Sequence, residues 1–424
     1  MNRSNGAVLV VAAFGLLLAR TSTGCADGVV LGHAVSNEGS NDTADGGSAH
    51  AEAGAGDSGP PALPTCSADG WCYTTLPAAP SSSPGDVLPD PNGVRFALTS
   101  VWSAPGRQAW AVSAAGHVLH WDGTAWSIAF VADAGLHAVW GASPTDVWIA
   151  GDAGLLLHGT GSSGALTFEQ VALGTSQKIK RVWGTSASDV WVLADRVYHL
   201  TADSASSATP FVPVDVPSSF GDDVAYVRIS AVWGTASDTW FGGSEVSYCA
   251  PPSCANVDRL FAARRRVGAG ETVSWDTVPM PIEDATAIVA GSTTTNGVQV
   301  VAIKTRLFDT AFAAWIADDA SKLDPARGPI TVTGAHAWTF ELAESYGQPE
   351  GLWGLALDDV WLVGQYGVVR RFDGKGWQLS RVARTTLAPL VSHLRGIDAV
   401  IDAAGEREMW IVGDDVALHR RTKP

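Results

Sequence analysis

The feature that most constrains this chain is a tryptophan-bearing segment that recurs along its length. Residues 98–130 (LTSVWSAPGRQAWAVSAAGHVLHWDGTAWSIAF) read as four short strands separated by Gly, Pro and Asp-Gly turns. Its opening pair of strands returns at residues 136, 179, 229 and 350, where VWG or LWG is followed by a second strand carrying another Trp. The first-strand tryptophans are Trp102, Trp140, Trp183, Trp233 and Trp353. A worn copy fills the long gap after Trp233, with ATAIVAGST, GVQVVAIK and HAWTFELA as strands, and a final copy starts at Leu394. Four strands per unit, at a period of about 40–50 residues, is the signature of a β-propeller. The predicted fold is therefore all-β: a seven-bladed propeller of four-stranded blades.

The last unit ends at Pro424 after three strands, and its fourth is missing from that end. GWCYTTLP at residues 70–77 resembles the fourth strands AWSIAF and GWQLSRV. Trp71–Leu76 is therefore expected to complete the last blade, which removes an open sheet edge. Four cysteines fall in two close pairs, Cys66 with Cys72 and Cys249 with Cys254, and are expected to form two local disulfides in an oxidising compartment. Their gaps differ from the two-residue gap of a zinc knuckle, so no metal is expected.

Residues 1–25 have the form of an export signal, with Arg3 ahead of an apolar stretch from Ala7 to Ala19. That stretch is too short to span a bilayer, which takes roughly 20 helical residues. Ser22-Thr23-Gly24-Cys25 resembles the lipobox of bacterial lipoproteins, which implies lipidation of Cys25. Ser22 stands where that motif has Leu, so ordinary signal-peptidase cleavage is the alternative. Ala26 after the Cys implies the outer membrane rather than retention at the inner one. Residues 26–65 contain no Lys, Arg or aromatic residue and carry Asp27, Glu38, Asp42, Asp45, Glu52 and Asp57. Such a segment buries too little apolar surface to order itself and is expected to be a flexible, self-repelling tether. The division is a signal over 1–25, a tether over 26–65 and a propeller over 66–424. The expected address is the outer membrane or cell surface, with the periplasm or secretion as alternatives.

Only 27 Lys and Arg stand against 43 Asp and Glu, for a net charge of −16. That balance excludes a nucleic-acid binder, which needs clustered basic residues. The recurring tryptophans are expected to fill the wedges between blades. Gly141, Gly184, Gly234 and Gly354 suit tight turns, and Asp146, Asp189, Asp238 and Asp359 suit turn caps. His120, His158, His199 and His419 share one register late in third strands, which Arg371 takes in the sixth unit. A repeat position explains them better than a shared metal. Arg264, Arg265 and Arg266 form the basic cluster of the chain and are the candidate ligand contact. Residues 242–275 and 305–335 read as irregular insertions and are the candidate rim.

The combination VWG…DVW…G…HWDG…W resembles the Trp-rich β-propeller repeat lipoproteins of the myxobacterial type, and Cys66-Ser-Ala-Asp-Gly-Trp71-Cys72 is similar to the opening of such domains. The resemblance covers residues 66–424 and implies fold and lineage, with no catalytic residue. Asp122-Gly-Thr-Ala-Trp126 and Asp373-Gly-Lys-Gly-Trp377 also resemble shortened Asp-boxes of sialidase-like propellers, which are folding turns. No catalytic motif or cofactor loop is found. The expected function is a non-catalytic, monomeric, surface-tethered module that binds an envelope protein or an extracellular polysaccharide. Its contact with the membrane is through the lipid anchor only. The alternatives are a propeller glycosidase or polysaccharide lyase, and a subunit of an envelope or pilus assembly.

Overall fold

In the computed structural model the described residues are 66–77, 95–201, 210–248, 257–306, 311–343, 347–382 and 389–423. The expected lipidation site, Cys25, and the expected tether lie outside them. So does the second expected disulfide: neither Cys249 nor Cys254 is among the described residues. The apolar runs bounded by turns form seven antiparallel sheets, each the blade of a propeller. Blade one shows the pattern: Leu98–Ala104, Gln108–Ser113, His117–Trp121 and Trp126–Val131, in that order from the centre outward. Each first strand adjoins the next around a central channel, to which all seven contribute.

Burial follows radius. Second and third strands are buried on both faces, because they lie between neighbouring blades, and so read as nearly continuous apolar runs. The outer strand Trp126–Val131 alternates buried and exposed residues, as a strand wet on one face must.

The last blade is closed from the other end of the chain, as the sequence predicts. Cys72 pairs with His419 and Tyr73 with Leu418, on the outer edge of Val416–Thr422. The Thr74 amide continues the ladder by donating to the Ala417 carbonyl at 3.0 Å. Trp71 is fully buried and meets Trp361 of blade six edge-on at 5.5 Å. Trp126 of blade one meets Trp410 of blade seven the same way, at 5.1 Å. The Cys66–Cys72 disulfide is formed. Within its loop, the Asp69 carboxylate accepts from Ser380 Oγ at 2.9 Å and the Arg381 amide at 3.0 Å, which fastens the loop to blade six.

Two expectations are corrected at the blade seams. Gly141 and Gly184 are not turn glycines. Both lie inside first strands, with the preceding blade's tryptophan lying over them. A Cβ on Gly141 would come within 2.5 Å of the Trp102 ring. At Gly141 and Gly184, and likewise at Gly291 under Trp233, one blade thus supplies the indole and the next the space for it, whereas Gly234 has a positive φ of 125° and lies against the Asp238 backbone of its own blade. Gly141→Ala is expected to destabilise the protein by about 1–3 kcal/mol, as overpacking of a close-packed core does. Urea unfolding checks this, and an unchanged midpoint would rule out the seam reading.

Asp146, Asp189, Asp238 and Asp359 do not cap turns either. Each begins a second strand and reaches the cationic or imidazole side chain of the third. His158 lies 2.9 Å from Asp146 and His199 lies 2.6 Å from Asp189, while Arg264 is bidentate to Asp238 at 2.7 Å and Arg371 lies 3.0 Å from Asp359. The His then stacks on the second-strand Trp, with ring centroids 3.9 Å apart for Trp148–His158 and 3.6 Å for Trp191–His199. Burial opposes the charge on Asp189, but hydrogen bonds from His199 and Thr185 outweigh it and hold the carboxyl below its usual range. The third-strand register is therefore an internal brace, made by His in blades two and three and by Arg in blades four and six.

Blades five and seven lack the first-strand tryptophan. Ser292 stands opposite Val300 where other blades have Trp opposite Trp. In blade seven Asp398 stands opposite Trp410. Side-chain hydrogen bonds make these seams instead. Ser292 Oγ donates to the Gly354 carbonyl at 2.7 Å, and Asp398 accepts from the Ser103 amide at 2.7 Å.

The two expected insertions are largely regular strand. Blade four has strands Asp238–Ser247 and Asp258–Val267, of ten residues each. Blade five takes its third strand from Ala311–Ala317, inside the stretch expected to be irregular. Among the described residues, what remains is three short 3-10 turns, Ala269–Glu271, Ala320–Lys322 and Pro325–Arg327, and an added strand, Thr331–Thr333, on the outer edge.

Candidate functional site

First strands all start at one end of the channel, and that mouth is basic. Residues Lys178 and Lys180 lead into blade three, whose first strand opens with Arg181. Lys304 ends the second strand of blade five next to Thr305, and Arg395 is second in the first strand of blade seven. Together with His137 and Glu350 they line a cavity of about 420 Å³. The chain has six lysines, and three of them meet here on a protein of net charge −16.

The carboxylates at the mouth leave a surplus of cations. Glu350 pairs with Lys304 at 2.8 Å. Asp152 takes His137 at 2.8 Å and Lys178 at 3.9 Å. Arg395 pairs with Asp414 at 2.8 Å. Arg181 reaches across the channel, where its guanidinium donates to the Val289 carbonyl of blade five at 3.1 Å, with no carboxylate in ion-pair range among the described residues. Burial works against the Arg181 charge and Glu350 supports it. Burial, then the neighbouring Arg228 and Lys178, push the Lys180 ammonium below the usual lysine range. Cations gathered in a low-dielectric concavity focus a positive potential there.

Blade four forms a wall beside the mouth. Its first strand, Val224–Thr235, has twelve residues, and its opening stretch, from Val224 to Arg228, pairs with Ser244–Ser247. A fully buried carboxylate braces it: Glu245 accepts from Arg259 Nε at 2.9 Å, Ser218 Oγ at 2.6 Å and the Ser219 amide at 2.8 Å. Between this wall and blade three runs a groove of about 530 Å³. Val214, Val216 and Val227 supply apolar surface, Tyr226 and Arg228 stand exposed, and Arg196 pairs with Asp215 at 2.7 Å.

The candidate contact Arg264–Arg266 lies elsewhere. It sits at the far end of the blade-four strand, opposite Asp238–Trp240. The three side chains are not brought together on one surface. Arg264 is buried between Asp238 and Asp318, Arg266 pairs with Asp276, and Arg265 lies over the Trp191 ring at 5.4 Å. The Asp-box-like turns are closed loops: Asp122 Oδ1 accepts from the Thr124 and Ala125 amides, and Asp373 Oδ1 from those of Lys375 and Gly376. Those bonds, first from Ala125 and then from Thr124, hold the Asp122 carboxyl down at about 2.

No protein-family model matches the chain, and no curated protein matches it. Solved structures do. The structure of YCF48 bound to D1 peptide is 14% identical, with a TM-score of 0.52 over 85% of this chain and 98% of that one. The WD40 β-propeller domain of Doa1 is 10% identical, with a TM-score of 0.49 over 78% of this chain and 94% of that one. The likeness is one of fold.

The basic mouth is not apparent in the sequence because its residues come from three blades. A signal is present: Lys180-Arg181 directly precedes Val182-Trp183-Gly184, and Arg395 directly precedes Gly396, so both open a first strand. First-strand starts all face the same mouth, and charges at that repeat position converge once the ring closes.

Proposed function

We propose that this propeller is a non-catalytic binding module that holds an anionic partner at the basic mouth of its channel. The observation that carries the reading is the meeting of Lys178, Lys180, Arg181, Lys304 and Arg395 at one mouth of an acidic protein. Loops and strand ends on a rigid scaffold are where propellers and similar folds carry recognition. YCF48, of the same fold, is seen with a peptide bound. The export signal, a lipid on Cys25 and the acidic 26–65 segment would hold the module away from the outer-membrane surface, where the partner is an envelope component.

Charge reversal tests this. The protein is titrated with two anionic probes, an acidic peptide and oligogalacturonate, at low and physiological salt. Lys178→Glu with Lys180→Glu is expected to weaken binding at least tenfold and to flatten its salt dependence, because exposed charges act over a Debye length of about 8–10 Å. Binding that ignores both changes would remove the mouth from the function. Return of shortened oligogalacturonate would make the protein an enzyme.

A further inference from the structure

We infer that the partner held at the mouth is an acidic polypeptide segment, which continues from the mouth into the groove between blades three and four. The inference rests on the anion-binding reading of the mouth and adds the chemical class of the ligand. Three observations favour a peptide over a polysaccharide.

The first is the state of the aromatic residues. Sugar-binding surfaces stack pyranose faces on exposed flat side chains. All eighteen tryptophans of this chain are described, and none is exposed. They are consumed in the seams. Of the exposed tyrosines Tyr226, Tyr248 and Tyr366 a single one, Tyr226, lines the groove, so consecutive sugar rings find no row of flat faces there. The second is the lining of the groove. It combines apolar and charged groups: Val214, Val216 and Val227 lie beside Lys180, Arg196 and Arg228. Of the two carboxylates in the same lining, Asp215 is taken by Arg196 and Asp195 accepts from the Tyr198 hydroxyl, which leaves Lys180 and Arg228 facing a ligand. A hydroxyl-rich chain gains little from valine, whereas a peptide offers apolar side chains and carboxylates at alternate positions. The third is size and continuity. About 530 Å³ is within the range that buries a few side chains. Lys180 lines both the groove and the mouth, so a ligand in one reaches the other without crossing neutral surface.

Tyr226 is the anchor the geometry selects. It is exposed, stands on the wall two residues from Arg228, and has that guanidinium 5.4 Å from its ring centre. Such a residue supplies apolar area with a polar end and loses little conformational freedom on binding.

The test uses the whole protein and two probes: a fluorescein-labelled decapeptide of alternating Glu and Val, and labelled oligogalacturonate of matched charge. Fluorescence anisotropy reads both, and intrinsic tryptophan fluorescence confirms that each variant is folded. The expected result is tighter binding of the peptide than of the saccharide. Tyr226→Ala and Val216→Asp should each weaken the peptide about tenfold, and Lys180→Glu should weaken both probes. Peptide affinity that falls with Lys180→Glu alone would overturn the groove and leave the mouth standing. Tighter binding of oligogalacturonate would overturn the peptide assignment, again with the mouth intact. Failure of both probes to bind would sink the two readings together.

Discussion

Replacing Asp398 by Asn should stabilise this protein at neutral pH and leave it almost unchanged in acid. Asp398 stands in the channel wall at the seam between blades seven and one, in the register position where five other blades have tryptophan. Burial pushes its carboxyl up to about 7, against the hydrogen bonds from the Ser103 and Ala399 amides that favour the charged form. An unfolded chain releases this proton near the ordinary aspartate value of about 3.9. Below that value both states hold the proton and the group contributes no pH dependence. Between about 4 and 7 the unfolded chain binds fewer protons than the folded one, so stability falls as pH rises. At about 1.4 kcal/mol per pH unit, the loss approaches 4 kcal/mol by pH 7. The amide side chain of the Asp398→Asn variant would keep the acceptor for Ser103 and could not ionise. Urea unfolding of both proteins from pH 4 to pH 8 should give a difference that grows across this window and levels off above it. A constant difference at every pH would show that burial does not raise the Asp398 carboxyl above its value in the unfolded chain.

Trp410→Ala should cost about 3–5 kcal/mol, the range for removing a large buried aromatic side chain. Trp410 is fully buried and holds three aromatic partners at the closure seam: Trp121 at 5.2 Å, Trp126 at 5.1 Å and the stacked His419 at 4.3 Å. Two of those partners belong to blade one and the third to the strand on which the N-terminal strand is laid. The loss should therefore be local before it is global. The Thr74 amide, bonded to Ala417, should exchange its hydrogen faster in the variant than amides of blade three do. A cost under 1 kcal/mol with unchanged exchange at Thr74 would mean that hydrogen bonding alone carries the closure.

The ring is legible because its packing device is written in one residue type. Trp102, Trp140, Trp183, Trp233 and Trp353 mark the first strands, and Trp71 matches Trp126 as a fourth-strand residue. The roles of the small and charged residues are less legible. Gly141 follows a tryptophan in sequence, yet its reason is the tryptophan of the blade before it. Asp189 precedes a strand, as a turn cap does, but its partner His199 is across the sheet. Ala311–Ala317 is hidden because AFAAWIA, buried almost throughout, carries neither the alternation of a half-exposed strand nor the repeat's Trp-Gly pair. The candidate site suffers most. Arg264–Arg266 is distinctive as a run, but alternation along a strand separates its members, and carboxylates on neighbouring strands occupy two of them. Residues that converge only on ring closure leave no run to find.

Ring closure through Cys72–Tyr73 also has a consequence in time. The segment that completes blade seven is made before any blade, and its pairing partner, Val416–Thr422, is made after all of them. The first segment therefore has no native strand to join until the final residues exist. Six blades can form from neighbouring hairpins as the chain lengthens, but the seventh joins the most distant pair of strands in the molecule, and contacts of such long range form slowly. Until then, the incomplete ring exposes the outer edge of Val416–Thr422 and one flank of blade one. Those are the surfaces by which two unfinished copies would recognise each other, by exchanging N-terminal strands in place of closing on themselves.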